Sequence, residues 1–205
     1  MNIQNEFEEL ISMNILKLLF PEKYSGLIKS ESPDFIDNKK NIGVEITSAT
    51  IPERRAQWRY MLQAYNKENL SEQDYFNMKK FSFDMHESGF GKIPVGSFWG
   101  DYIDLISSYQ RKISKINTVK SFQKYRLDLY INTKFMDDDN LTDFLSYLYS
   151  EKRDYDYYFE TIYIKSEGAL YVVKFKNLEI QKLLLSNDEY KKSKNKALDY
   201  LNNMV

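Results

Sequence analysis

The sequence contains no cysteine. Disulfides, thiolate metal sites and thiol nucleophiles are therefore excluded together. It has one histidine, His86, which removes multi-histidine metal centres and argues against a histidine-based triad. An excess of charge is missing as well: 29 Lys and Arg stand against 30 Asp and Glu, for a net charge of −1. A polyanionic partner would have to be held by a local basic face, not by the field of the whole chain. No apolar run approaches the roughly 18–20 residues of a membrane span, so no membrane contact is expected. The first ten residues, M-N-I-Q-N-E-F-E-E-L, lack the basic-then-apolar pattern of a signal peptide. A cytoplasmic location is the expectation.

What is present is an ordinary globular composition. Of 205 residues, 42% are hydrophobic and 29% charged, enough to bury a core without covalent staples. The 17 Tyr and 13 Phe read first as core and strand filler. Residues 5–20 predict an amphipathic helix on the spacing of Phe7, Leu10, Ile11, Ile15, Leu18 and Leu19, ended by Pro21. Residues 26–36 read as extended, and 42–48 as a strand after the turn D-N-K-K-N. Helices follow at 51–67, opened by Pro52, and at 72–80. The glycines and proline of 81–98 suggest a loop or lid. A long amphipathic helix covers 99–117, a strand 127–133, and a helix 139–150 capped by Asp138 or Asp139. Strands at 158–166 and 169–176 face each other across a short turn, and a polar helix covers 188–203. No repeat or linker interrupts the chain, so residues 1–205 read as one mixed α/β domain.

The chemistry-bearing segment is E-S-P-D-F-I-D-N-K-K-N-I-G-V-E-I-T, Glu31 to Thr47. Asp34 ends one extended segment and Glu45 lies inside the next, so antiparallel pairing can bring both carboxylates to one sheet edge. Side chains alternate along a strand. Ile42, Val44 and Ile46 therefore take one face, while Gly43, Glu45 and Thr47 share the other. A glutamate in so apolar a strand is costly unless a cation or donor partners it. Two hard oxygen ligands on adjacent strands suit Mg²⁺ (or Mn²⁺), which keeps several waters and bridges to phosphate oxygens.

At these residues the sequence resembles the PD-(D/E)XK nuclease superfamily, with Pro33-Asp34 as the first element and Glu45-Ile46-Thr47 as the second. The resemblance implies a restriction-endonuclease-like α/β fold, a mixed central sheet flanked by helices. It implies metal ligation by Asp34, Glu45 and the main chain of Ile46. Thr47 stands where the family has its lysine, which orients the attacking water and offsets developing charge. Some members supply that lysine from a neighbouring helix, and here Lys112 and Lys115 are the candidates. Lys115 is preferred, because Lys112 directly precedes core-facing Ile113. An acidic residue of the first helix often completes such sites; among Glu6, Glu8 and Glu9 the helical wheel favours Glu8. Glu31 and Asp37 are nearby spares, and a homodimer is a further implication.

Basic residues are clustered in three places. Arg111, Lys112, Lys115, Lys120, Lys124 and Arg126 form a block without acidic residues. Arg54, Arg55 and Arg59 follow the Glu45 strand, and Lys191, Lys192, Lys194 and Lys196 lie near the end. Arg54, Arg55, Arg111 and Lys120 are the candidates for phosphate contact, where neutralised charges make binding steeply salt-dependent. His86 reads as a loop residue without a catalytic role, and Trp99 and Tyr102 as core or base-stacking rings. The expected function is metal-dependent hydrolysis of phosphodiesters, of DNA in the first instance, by a metal-activated water. Its alternative is an inactive nuclease-fold protein that binds nucleic acid or protein.

Overall fold

The computed structural model describes residues 3–49, 52–65, 67, 69–81, 83–88, 91–96, 102–133, 136, 138–151 and 155–203. In chain order the elements are α1 (Ile3–Leu19), α2 (Pro21–Tyr24), β1 (Ile28–Lys29), β2 (Phe35–Asp37), β3 (Ile42–Ser48), α3 (Pro52–Ala64) and α4 (Glu72–Lys80). They continue as β4 (Phe83–Ser88), β5 (Gly91–Gly96), α5 (Tyr102–Thr118), a 3₁₀ turn at Lys120–Lys124, β6 (Arg126–Asn132) and α6 (Asp138–Glu151). The hairpin β7 (Phe159–Ser166) and β8 (Ala169–Lys174), then β9 (Glu179–Leu184) and α7 (Asn187–Asn202), complete the chain. Two compact units result: Met1–Ala49 with Asp101–Val205, and Thr50–Gly100.

The larger unit is built on a seven-stranded mixed sheet in the order β1-β2-β3-β6-β7-β8-β9. The central strands β3, β6 and β7 run parallel, and the strands outside them pair antiparallel. Alternation along these strands divides the core into two layers. Ile42, Val44, Ile46, Tyr130, Tyr163 and Val172 pack against Leu10, Ile11, Ile15 and Leu16 of α1 and Ala197 of α7. Leu129, Ile131, Ile162, Ile164 and Val173 pack against Leu105, Tyr109, Ile113 and Ile116 of α5 and Phe144 and Leu148 of α6. Parallel strands covered on both faces are expected to be apolar throughout, and Leu127 to Ile131 is buried at every position, Asp128 included.

Local chemistry fixes the β2–β3 turn. Asp37 Oδ1 accepts from the main-chain N–H groups of Lys39 (2.9 Å) and Lys40 (3.2 Å), an Asx turn. Asn41 then adopts φ +53°, a left-handed conformation that asparagine tolerates well. Ser186 opens α7 through a reciprocal capping box with Glu189, which satisfies two otherwise orphan donors.

In the smaller unit Met61, Ala64 and Phe83 form a core lined by Tyr60, Leu70, Met78, Phe81 and Met85. Ser71 and Asp74 close a capping box on α4. Within the stretch 81–98, expected to be a loop, β4 and β5 instead pair antiparallel. Phe83 and Met85 alternate with exposed Asp84 and His86, a period-two pattern obscured by nearby glycines. Pro94 pairs with Met85; a two-stranded sheet has only edge strands, where proline is tolerated. Strand β9 also escapes the sequence reading, because E-I-Q-K-L-L is a largely exposed edge strand with no alternation of burial.

Candidate functional site

Glu45 lies at the middle of β3, on the face turned toward α5. Gly43, two residues earlier on the same face, makes room for the segment that carries Asp34. A Cβ at Gly43 would lie 2.7 Å from Cγ of Pro33 and 2.9 Å from Cδ2 of Leu127. With no side chain there, Pro33 settles against β3 and delivers Asp34 beside Glu45. Asp34 is fixed by a short bond: the main-chain N–H of Ile46 donates to its Oδ2 at 2.6 Å.

Helix α5 supplies the cations. Its apolar residues Leu105, Tyr109, Ile113 and Ile116 enter the core, which leaves Ser108, Arg111, Lys112 and Lys115 as a polar stripe at i, i+3, i+4 and i+7. Every member of that stripe meets β3 or Asp34. Ser108 Oγ donates to the carbonyl of Ser48 (2.9 Å) and Arg111 Nη2 to Thr47 Oγ1 (2.6 Å). Lys112 Nζ pairs directly with Glu45 Oε2 and lies 3.5 Å from Asp34 Oδ2. Lys115 Nζ lies 3.2 Å from both oxygens of Glu45. The contacts run down the strand as the helix advances. Seven helical residues rise about 10.5 Å and three strand residues about 10 Å, so the stripe and the strand stay in register.

The electrostatics of this cluster are those of two carboxylates against two ammonium groups. The Glu45 side chain is 0% exposed, Lys112 12%, Asp34 15% and Lys115 37%. Glu45 is the buried end and Asp34 with Lys115 the end open to solvent. A buried carboxylate persists only with charge-assisted partners, and here it has two. Among the described residues nothing donates to Oδ1 of Asp34, and no group of three or more His, Cys, Asp or Glu side chains gathers anywhere. A cation between Asp34 and Glu45 would thus have two carboxylates and otherwise water or main chain. That donor set fits Mg²⁺, which keeps much of its hydration shell.

The structure brings together Asp34, Glu45, Thr47, Arg111, Lys112, Lys115 and the main chain of Ile46. Lys112, not the preferred Lys115, spans the two carboxylates; the helix rotation that the sequence left open decides this. Glu8 is not brought to the pair. Its helix α1 covers the Ile42–Val44–Ile46 face, opposite Glu45, and Glu8 is exposed near Lys165. Burial lowers the Lys165 ammonium from its usual value, with Glu8 and Glu167 opposing. Glu9 pairs with Lys29, and Asp37 belongs to its turn. Lys120 is exposed at the start of the 3₁₀ turn. Arg54 and Arg55 lie on α3 with side chains outside the described residues, as are Trp99 and the side chain of Tyr102. His86 is exposed on β4.

Two contacts went unread in the sequence, Arg111–Thr47 and Ser108–Ser48, although the polar stripe on α5 was the available signal. A second buried carboxylate also went unread. Asp128 accepts from Tyr24 Oη at 2.7 Å and pairs with Lys23 at 2.8 Å. Burial, then Asp128, pushes the Tyr24 phenol far above its usual range. Asp128 shares the face of Tyr130, away from Glu45, and ties α2 onto β6 and β7. Comparison with protein-family models, curated proteins and solved structures found no match to this chain.

Proposed function

We propose that this chain is a metal-dependent nuclease of restriction-endonuclease-like architecture that hydrolyses phosphodiester bonds, DNA being the first substrate to test. The observation that carries the reading is the convergence of Asp34, Glu45 and Lys112. They are two carboxylates from neighbouring segments and a lysine from a helix, set where the strand itself offers Thr47. Asp34 and Glu45 would hold Mg²⁺, with the main chain of Ile46 beside them. The bound metal would supply an activated water and charge neutralisation at the phosphate. Lys112 is positioned to offset negative charge that develops on the phosphate under attack. Lys115 keeps a counter-charge beside Glu45, and Arg111 with Thr47 offers a phosphate contact at the next position on the same face of the strand.

The test is incubation of the purified protein with plasmid, linear duplex and single-stranded DNA and with RNA, in Mg²⁺, Mn²⁺ or chelator. The reading expects cleavage that needs the metal and does not survive chelation. A second reading, a nuclease-fold protein without catalysis that binds nucleic acid or protein, is favoured by one observation: both oxygens of Glu45 are already held by ammonium groups. Salt-sensitive binding of DNA with no cleavage in either metal selects it.

A further inference from the structure

Lys112 stands where a cation shared by Asp34 and Glu45 would have to stand. Its ammonium touches Oε2 of Glu45 and lies 3.5 Å from Oδ2 of Asp34. A Mg²⁺ or Mn²⁺ ion bound to both carboxylates needs oxygens at about 2.0–2.2 Å, and an ammonium between those same oxygens shuts it out. Lys115 is placed otherwise. It lies 3.2 Å from both oxygens of Glu45, makes no ion pair with Asp34, and rests 5.0 Å from the centroid of the Phe122 ring. It can remain while an ion enters.

Charge counting points the same way. The two carboxylates are balanced by the two ammonium groups, and Glu45 is wholly buried. Adding a divalent ion with both lysines in place would leave two uncompensated positive charges beside a buried carboxylate. Releasing Lys112 removes both the overlap and half of that excess.

We infer that Lys112 is the resident counter-cation of the site, so that divalent metal binds by exchange with its ammonium, while Lys115 stays on Glu45. This rests on the metal-dependent reading above and adds to it an order of events and a division of labour between the two lysines. In the free protein Lys112 keeps the two carboxylates paired without metal. Metal entry sends its ammonium toward the open side, where an incoming phosphate is the natural acceptor.

The experiment is a Mn²⁺ titration of the full chain without nucleic acid, read by the paramagnetic resonance signal of free Mn²⁺. The proteins compared are wild type, Lys112→Gln, Lys112→Arg and Lys115→Gln, each first checked for a folded circular dichroism spectrum. Removing one charge a few ångströms from the ion is expected to tighten Mn²⁺ binding by roughly ten- to a thousandfold in Lys112→Gln. Lys112→Arg keeps the charge and is expected to bind no tighter than wild type, and Lys115→Gln to gain much less than Lys112→Gln. Equal affinity in wild type and Lys112→Gln, or tightening in Lys112→Arg as large as in Lys112→Gln, overturns the exchange while leaving the metal reading in place. Absence of Mn²⁺ binding from every variant overturns the exchange and the metal reading together. Should Lys112→Gln fail to fold, Lys112→Met takes its place: Mn²⁺ binding tighter than in wild type is expected, and equal affinity overturns the exchange.

Discussion

Replacing Lys112 by Met tests how the buried charge of Glu45 is balanced. The substitution keeps most of the aliphatic stem and deletes the ammonium. Glu45 is 0% exposed and Lys112 12%, so the pair is desolvated; deleting one partner of such a pair costs about 3–5 kcal/mol. Lys115 still reaches both Glu45 oxygens at 3.2 Å, which places the expected loss at the low end, about 3 kcal/mol. Lys115→Met deletes an ammonium that is 37% exposed and screened by water, so its loss should be near 1 kcal/mol. For a chain of this size the first change lowers the melting temperature by roughly 6–12 °C. The assay is urea unfolding of both single variants, of Glu45→Gln, and of Glu45→Gln/Lys112→Met. The double variant should lose less than the sum of its parts, by about 2 kcal/mol, as expected for residues in direct contact. Equal losses from the two lysine variants, or additive losses in the cycle, would refute the reasoning.

Three further outcomes are expected, two at the site and one in the smaller unit. Gly43→Ala forces a methyl group against Pro33 and Leu127 and should cost about 1–3 kcal/mol. It should also displace Asp34, visible as loss of the Asp34–Ile46 bond in a structure of the variant. Arg111→Ala should change stability by less than about 1 kcal/mol, since Arg111 is an exposed residue; it should lower DNA affinity and flatten the salt dependence by about one charge. Hydrogen bonds from Lys67 and then Ser71 hold the Asp74 carboxyl down at about 2. A depressed folded value stabilises α4 above the unfolded value of about 3.9, and that contribution disappears as pH falls from there through about 2. Acid titration by circular dichroism should show it in the wild type and not in Asp74→Asn.

Much of the larger unit was legible in the sequence because its signals are periodic. The apolar spacing in α1 and α5 and the hairpin β7–β8 are direct consequences of which faces are buried, while β3 and β6 show as short runs rich in apolar and β-branched residues, buried on both faces. The pairing of Asp34 with Glu45 was legible for a related reason: a short turn between two extended segments fixes which residues become neighbours. Strand β9 and the β4–β5 pair were not: the first is an exposed edge with no alternation of burial, and the period-two pattern of β4 is obscured by nearby glycines. The choice between Lys112 and Lys115 depends on the rotation of α5 about its axis. That rotation is set by Tyr109, Ile113 and Ile116 finding their places against β6 and β7, a tertiary fact. Glu8 failed to arrive for a similar reason. A helical wheel gives the side of the helix, and only the packed sheet decides which of its faces that helix covers.

The central claim is that Asp34 and Glu45 act together in phosphodiester hydrolysis, and its most direct test is nuclease activity in the two isosteric neutral variants, Asp34→Asn and Glu45→Gln. With Mg²⁺ present and folding verified by thermal melting, both should lose cleavage by about a thousandfold or more, as expected when metal ligation is removed from such a reaction. Cleavage retained at the wild-type rate in either folded variant contradicts the account.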